Sequence, residues 1–217
     1  MHFLITAGGT REYIDPVRFI SNASSGKMGY ALTRAAIKAD HKVTLISASD
    51  LQPPVGVEFV GVDSAAQMFA AVKKFFDKCD CLIMAAAVAD YTPARVRKAK
   101  IKKKGQSLTL ELKPTPDILK WAGRHKKLKS KKAEGKRGKG QIVVGFALED
   151  KNVMAEAERK LREKNLDMII ANTPDSIGSV ETTVQIKLPD SAWLKIENAP
   201  KTTIAREIIR TIESLQL

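Results

Sequence analysis

The sequence has little of the side-chain chemistry that many enzymes use. Its 217 residues include two cysteines and three histidines, and aromatic residues make up 6% of the chain. Cys79 and Cys81 supply two sulfurs without a cluster of histidines, which is a poor zinc site. No serine or cysteine has a visible histidine base, so a covalent enzyme intermediate is disfavoured. The composition favours binding and positioning of a charged substrate.

Long apolar segments are missing as well. No apolar run reaches the roughly 20 residues of a membrane-spanning helix, and the N-terminus MHFLITAGGT lacks the regions of a signal peptide. Because alternate residues of a strand share a face, we expect Cys79 and Cys81 to point the same way as buried, unpaired thiols. We therefore expect a cytoplasmic protein with no membrane contact.

Positive charge is concentrated in two segments. The formal net charge is +13, and residues 95–104 and 120–140 together carry 17 of the 37 basic residues and one of the 24 acidic residues. The rest of the chain has 20 basic and 23 acidic residues and is close to neutral. One hypothesis is an α/β protein that binds nucleic acid through these two segments. Against it, Trp121 alone offers an aromatic ring there, and stacking of bases needs more.

Predicted strands and helices alternate along most of the chain. Ser24 or Ser25 and Ser64 stand where helix caps are expected. The predicted strands cover residues 2–7, 42–48, 57–62, 79–90, 141–150 and 165–172, and the predicted helices cover residues 27–40, 65–78, 152–164 and 201–215. This order predicts an α/β fold, a Rossmann-like three-layer sandwich with a mostly parallel central sheet, formed by residues 1–217 as a single domain.

Two segments interrupt the alternation, and a third is low in complexity. Residues 99–114 and 183–197 each predict two short strands, around Lys104-Gly105 and Pro189-Asp190, so we expect two β-hairpins added to the sheet. Residues 124–140 have four glycines and one large apolar residue. They are expected to form a basic, mobile surface insertion that adds little to the core.

The first strand ends in Gly8-Gly9, which invites comparison with dinucleotide-binding proteins. The Rossmann fingerprint needs G-x-G-x-x-G with a helix directly after it, whereas here the next predicted helix begins at Lys27. A nicotinamide-dependent oxidoreductase is therefore disfavoured. No G-x-x-x-x-G-K-[ST] follows a strand either. A simple tight turn at Gly8-Gly9 remains the alternative.

Three further segments have the composition of an anion site. RFISNASSGKMG (18–29) combines glycines, which allow close backbone approach, with a predicted helix N-terminus. AAAVADYTPA (85–94) places small residues and Asp90 after a predicted buried strand, where ligands of open α/β sheets bind. In an extended segment Lys98, Lys100 and Lys102 share one face, which suits a triphosphate. Each segment also has a plain structural explanation, such as a lysine-rich edge strand.

Taken together, these motifs resemble those of the phosphopantothenoylcysteine synthetases of coenzyme A biosynthesis, in their bacterial form. ITAGGTREYIDPVRFISNASSGKMG, AAAVADY, KIKK, PDIL, VGFALE and KLREKNLDMIIAN follow one another in that family's order. The resemblance covers nearly the whole chain outside residues 124–140. Because the chain begins at its first strand, it resembles the stand-alone domain, or the synthetase half of a fused protein, and no flavin is expected in it.

The resemblance implies a two-step ligase. The carboxylate of 4′-phosphopantothenate attacks the α-phosphate of CTP, or less expectedly ATP, giving an acyl-nucleotide and pyrophosphate. The amine of L-cysteine then displaces the nucleotide monophosphate and forms an amide. The family uses Mg²⁺, forms homodimers with the active site near the interface, and works with a flavin-dependent decarboxylase, here expected on a separate chain.

The resemblance also implies roles for individual residues. Asn22 is expected to hold the acyl-nucleotide, and Lys100 to act in the second step. Arg18 is expected to reach the phosphopantothenate of the neighbouring subunit, and Ala86, Ala87 and Asp90 to contact substrate. The expected nucleotide contacts are Gly8, Gly9, Met84, Ala85, Ala86, Asp90, Lys100, Pro116, Asp117, Ile118, Phe146, Lys160 and Lys164; no metal ligands are implied.

Two positions depart from the family pattern. Thr115 stands before PDIL where the family often has asparagine, and Thr173 follows IIAN where many members have aspartate. Both departures bear on the choice of nucleotide and leave the expected reaction unchanged.

Overall fold

The computed structural model describes residues 1–103, 105, 107–127 and 140–216. The described elements alternate as expected from the sequence over most of the chain. The strands are β1 (His2–Ala7), β2 (Arg11–Tyr13), β3 (Phe19–Ser21), β4 (Lys42–Ser47), β5 (Glu58–Gly61), β6 (Cys81–Met84), β7 (Tyr91–Pro93), β8 (Leu112–Pro114), β9 (Ile142–Leu148), β10 (Met168–Asn172), β11 (Glu181–Lys187) and β12 (Leu194–Pro200). The helices are α1 (Lys27–Lys38), α2 (Ala65–Phe76), α3 (Ile118–His125), α4 (Val153–Glu163) and α5 (Lys201–Ser214), with a 3₁₀ turn at Pro174–Ser176.

Eight strands form one central sheet in the order β12-β11-β10-β9-β6-β1-β4-β5. Neighbours from β5 to β10 pair in parallel, and β11 and β12 extend the sheet as an antiparallel hairpin. Two small antiparallel pairs, β2 with β3 and β7 with β8, lie outside this sheet. The predicted α/β, Rossmann-like sandwich with hairpin additions is confirmed, as is the hairpin predicted for residues 183–197.

Helices cover both faces of the sheet. Side chains of α1 and α5 share one apolar cluster with alternate residues of the central strands, among them Phe3 and Ile83. Side chains of α2, α3 and α4 share the other cluster with the remaining strand residues, among them Leu4 and Leu82. Strands that are covered on both sides are apolar at every position, which is why β1 and β6 appear in the sequence as unbroken apolar runs.

The hairpin predicted for residues 99–114 does not form. β8 instead pairs with β7, and bends occur at Lys98 and Ala99, so Lys98, Lys100 and Lys102 do not lie on one face of a strand. Tertiary contacts explain the difference. The backbone N–H of Arg97 donates to the carbonyl of Ile14, and that of Ile101 donates to the carboxylate of Asp15, so these groups are withdrawn from a ladder.

Two local predictions are wrong and one is confirmed. α1 begins after Gly26, which adopts φ 79° and supplies no side-chain cap, so neither Ser24 nor Ser25 caps the helix. Ser64 does cap α2, because its hydroxyl accepts from the N–H of Gln67 while the Gln67 side chain accepts from the N–H of Ser64.

The predicted insertion at residues 124–140 lies mostly outside the described residues, which stop at Lys127 and resume at Gly140. Its ends are held close together, since the N–H of Gln141 donates to the carbonyl of Lys127 over 2.8 Å. In the described part of the chain, no helix is both long and apolar enough to cross a bilayer.

The two cysteines are free and buried, as predicted, but they do not share a face. Cys79 precedes β6 and joins the cluster of α2, whereas Cys81 lies within β6 and joins the cluster of α1. Burial raises the pKa of the Cys79 thiol to about 12 and also raises the pKa of Cys81. Neither sulfur is therefore a reactive thiolate near neutral pH.

We expect no reaction of either native thiol with Ellman's reagent at pH 8, and reaction of both in guanidinium, because the attacking species is the exposed thiolate. Absorbance at 412 nm measures the reaction. A Lys195→Cys variant, whose new thiol is exposed, should react at once and shows that the reagent is active. Rapid labelling of the native wild-type protein would contradict the burial of these groups.

Candidate functional site

The strand order places a cavity at the carboxyl ends of the central strands. From β1 the chain continues to β4 and β5 on one side, whereas β6 and β9 lie on the other side, so a crevice opens between β1 and β6. A cavity of about 510 Å³ occupies this end of the sheet. This volume lies within the usual range for small-molecule sites.

Gly8 and Gly9 do not line this cavity but hold its floor together. Gly8 has φ 84°, and a Cβ on it would lie 2.6 Å from the backbone nitrogen of Ser49. A Cβ on Gly9 would lie 2.6 Å from the carbonyl oxygen of Asn22. The N–H of Ala87 donates to the carbonyl of Gly8 over 2.9 Å. The two glycines therefore allow the loop of Asn22 and the segment after β6 to meet.

Asn22 lies on the rim of the cavity, where its side chain is exposed. Its Nδ2 donates to the carbonyls of Ala87 and Val88, each over 3.2 Å. Both amide hydrogens are therefore used within the protein, and Oδ1 is left for a ligand. A hydrogen bond from this amide to an acyl phosphate requires that one of the two carbonyl contacts be exchanged.

One wall of the cavity carries two lysines that are paired with carboxylates. The Nζ of Lys164 lies 2.9 Å from Oδ2 of Asp117, and Lys160 pairs with Glu149. Asp117 also caps α3, because it accepts from the N–H of Lys120. Burial raises the pKa of Asp117, but the Lys120 N–H and the Lys164 ammonium outweigh burial and lower it overall. This wall is therefore close to neutral.

The opposite wall carries two lysines that sequence reasoning missed. Lys27 and Lys201 are the first residues of α1 and α5, and both line the cavity. Within the described ranges, neither ammonium pairs with a carboxylate; Lys201 donates to the carbonyl of Ser179 over 2.5 Å. Burial and, second, the charge of Lys27 lower the pKa of Lys201. Because helix N-termini are also positive, this wall suits an anion.

Most of the residues expected from the resemblance meet in this cavity. Asn22, Met84, Ala85, Ala86, Ala87, Asp90, Pro116, Asp117, Ile118, Phe146, Lys160 and Lys164 all line it, and Gly8, Gly9, Arg18 and Lys100 do not. The sequence gave no signal for a further group of lining residues, because they join the site only through the antiparallel end of the sheet: Asn172, Ser176, Ile177, Gly178 and Thr182.

Arg18 and Lys100 lie apart from the cavity but close to each other along the chain path. Arg18 pairs with Asp15 over 2.6 Å and donates to the carbonyl of Ile101, the neighbour of Lys100, over 2.5 Å. This contact joins the β2–β3 turn to the lysine-rich segment. The structure thus brings together two predicted site residues that are far apart in the sequence.

The described residues offer only a limited fit to a magnesium ion. They contain no group of three histidine, cysteine, aspartate or glutamate side chains that could hold a metal. Of the two carboxylates that line the cavity, Asp117 is paired with Lys164, whereas Asp90 is exposed and has no ion pair in the described part. Mg²⁺ in nucleotide sites is held by the phosphates and one or two carboxylates, which Asp90 can supply in part.

Residues 1–215 match the family model of the DNA/pantothenate metabolism flavoprotein C-terminal domain. The chain belongs to this family. The coenzyme A biosynthesis bifunctional protein CoaBC of Bacillus subtilis (strain 168) is 43% identical over 220 residues, which cover 99% of this chain. The chain spans about half, 51%, of the length of that relative. The kinship expected from the motifs is thereby confirmed.

Solved structures agree with this family. The crystal structure of the C-terminal domain of CoaBC is 39% identical, superposes with a TM-score of 0.80, and is covered over 94% of its chain by 99% of this one. A Cab2 variant in complex with phosphopantothenate-cysteine has a TM-score of 0.77 at 17% identity, with 98% of this chain and 86% of that chain covered. At this identity the second likeness shows the fold alone.

We expect Gly9→Ala to destabilise the protein by about 1–3 kcal/mol, because the new methyl would overlap the carbonyl of Asn22. Urea unfolding followed by circular dichroism measures the change. Gly61→Ala is the matched control, since its Cβ would meet nothing closer than 3.5 Å. Equal stability of the two variants would show that Gly9 is not needed for the close approach of this loop.

Proposed function

We propose that this chain is the ligase that joins 4′-phosphopantothenate to L-cysteine through an acyl-cytidylate. One observation carries the proposal. The cavity at the sheet switch point gathers, from separate segments of the chain, the alanine segment after β6, Asn22, the PDIL turn and Lys160 with Lys164. The 39% identity with the C-terminal domain of a coenzyme A biosynthesis protein supports it.

In the first step, the carboxylate of phosphopantothenate attacks the α-phosphorus of CTP, and the bond to pyrophosphate breaks. Negative charge develops on the leaving pyrophosphate. Lys27 and Lys201 and the N-termini of α1 and α5 supply positive potential that favours this charge. Mg²⁺, carried by the nucleotide phosphates, would neutralise part of the same charge, and Asp90 is the lining carboxylate suited to contact it.

In the second step, the amine of cysteine attacks the acyl carbon, cytidine monophosphate leaves, and the amine loses a proton. The protein contributes mainly by holding the acyl-nucleotide and the amine together, which can supply roughly 7–11 kcal/mol of the barrier. Asn22 fixes the alanine segment on which the acyl-nucleotide would lie. Lys100 is assigned to this step by its place in the KIKK motif.

CTP is the proposed nucleotide, as in the bacterial form of the family. Thr115, which departs from the family pattern, donates its hydroxyl to the carbonyl of Ala89 over 2.6 Å and lines the cavity. Because that hydroxyl is used within the protein, recognition of the base at this position falls to backbone groups and to Asp117. A comparison of CTP with ATP tests this choice.

A homodimer is part of the proposal. The segments around the two small hairpins expose a set of large apolar side chains, which a monomer has little reason to present to water. They are Val17, Phe19, Tyr91, Val96, Leu108, Leu110 and Leu112. Because Arg18 lies on the same surface, a partner subunit docked there would meet it. The product would pass to a flavin-dependent decarboxylase outside residues 1–217.

The competing nucleic-acid hypothesis loses its one aromatic contact. Trp121 stacks on His125 with ring centroids 4.6 Å apart and packs against Phe69 and Phe76. It is therefore engaged with the core of the protein rather than free to stack on a base. Residues 128–139, which carry much of the basic charge, lie outside the described residues.

The ligase proposal is tested by pyrophosphate release and amide formation from phosphopantothenate, with CTP or ATP, in the presence and absence of cysteine. We expect pyrophosphate with CTP alone and amide only when cysteine is added. Asn22→Asp should lower amide formation at least ~100-fold, because a carboxylate cannot donate to the carbonyls of Ala87 and Val88. Asn198→Asp, at an exposed site on β12, is the control; near wild-type activity of Asn22→Asp would refute the assignment.

Loss of either unpaired lysine should weaken nucleotide binding. We expect Lys27→Met and Lys201→Met each to raise KM for CTP about 10-fold or more, because a charge-assisted contact to phosphate contributes about 1.5–3 kcal/mol. Steady-state kinetics measure KM, and Lys195→Met, exposed on β12, is the control. Since Lys201 also tethers Ser179, thermal unfolding is recorded for each variant. An unchanged KM in both variants would exclude this wall as the phosphate site.

A further inference from the structure

Asp15 is a fully buried carboxylate in the turn between β2 and β3. Its Oδ1 accepts from the N–H groups of Val17 and Arg18, each over 2.9 Å. Its Oδ2 accepts from Nε and Nη2 of Arg18, at 3.0 and 2.6 Å, and from the N–H of Ile101 at 3.1 Å. One carboxylate thus shapes the turn, holds the arginine and binds a segment 86 residues away.

The contact is closed from both sides. Arg18 donates through Nη2 to the carbonyl of Ile101, so both backbone groups of Ile101 are bound, one by Asp15 and one by Arg18. The N–H of Arg97 donates to the carbonyl of Ile14 over 3.0 Å. The lysine-rich segment is therefore fixed at two points, and Lys100 lies between them.

Charge explains why a carboxylate is needed here. Residues 95–103 contain only basic charges, and Arg18 lies against them. Like charges at this distance repel each other, and a buried negative charge between them offsets the repulsion. Burial by itself would raise the pKa of Asp15, but its backbone and arginine donors outweigh burial and hold the pKa well below its usual range. The carboxylate therefore stays ionised at neutral pH.

We propose that Asp15 is a positioning residue, which fixes Arg18 and the segment of Lys100 as one unit. Arg18 would bind phosphopantothenate and Lys100 would act in amide formation, so Asp15 would set the distance between the two. These roles rest on the proposed ligase function, whereas the anchoring of residues 97–101 does not. A misplacement of about 1 Å can cost about 100-fold in rate, so the anchor matters for catalysis without touching substrate.

The anchor is tested first without any enzyme assay. Asparagine at position 15 would present an amide donor to Arg18 and Ile101, so Asp15→Asn should free the segment. We expect limited trypsin digestion, resolved by mass spectrometry, to cut between residues 97 and 103 about 10-fold faster than in wild type. Glu12→Gln is the matched control: Glu12 is buried in β2, but it accepts from the N–H of Ala65. Equal cleavage of wild type and Asp15→Asn overturns the anchor.

Ile101→Pro keeps the test decisive where Asp15→Asn fails to fold. It removes the N–H that donates to Oδ2 and leaves the contacts between Asp15 and Arg18 in place. We expect the same increase in cleavage, with thermal stability close to that of wild type. Protection of the segment in this variant would also overturn the proposal.

The catalytic consequence is tested by a double-mutant cycle. We expect Lys100→Gln to slow amide formation about 100-fold in wild type and in Glu12→Gln, but less than about 10-fold in Asp15→Asn, where Lys100 is already displaced. Equal costs in all three backgrounds would show that Asp15 does not act through Lys100. If wild type forms no amide at all, the ligase proposal fails, and the trypsin experiment still decides whether Asp15 anchors the segment.

Discussion

The site depends on the meeting of two loops at the carboxyl ends of β1 and β6. Ala87 pairs with the backbone of Gly8 and Thr10, and Asn22 closes the same junction through two carbonyl contacts. Both loops leave the sheet where the direction of strand succession reverses, so only these contacts keep the crevice in shape. The absence of a side chain at Gly9 makes the approach possible. The cavity, its alanine floor and the position of Asn22 all follow from this junction.

The charges around the cavity are divided between two walls. Lys160 and Lys164 are neutralised by Glu149 and Asp117, and their wall can accept a nucleoside without a strong field. Lys27 and Lys201 meet no carboxylate in the described ranges, and their mutual repulsion is relieved when an anion binds between them. A triphosphate that spans the cavity would place its leaving group at the unpaired wall, where charge develops during the reaction.

The alternation of strands and helices, the confirmed Ser64 cap and the added hairpin at residues 183–197 could be predicted because each depends on nearby residues. Predictions failed where a distant partner decided the outcome. Residues 99–114 lose their hairpin because Asp15 takes the N–H of Ile101, and Cys79 leaves the face of Cys81 because β6 begins only at Cys81. In each case a tertiary contact outweighed a local preference that is small in comparison.

The sequence by itself determined the fold class, the family and the motif residues that line the cavity, since these are recorded in apolar periodicity and in short ordered motifs. Only the tertiary structure decided how the motifs combine. It placed Lys27 against Lys201, joined Arg18 to Ile101 through Asp15, and left Arg18 and Lys100 outside the cavity. Such pairs are set by the order of strands in the sheet and by buried charge, and neither is expressed in the spacing of residues along the chain.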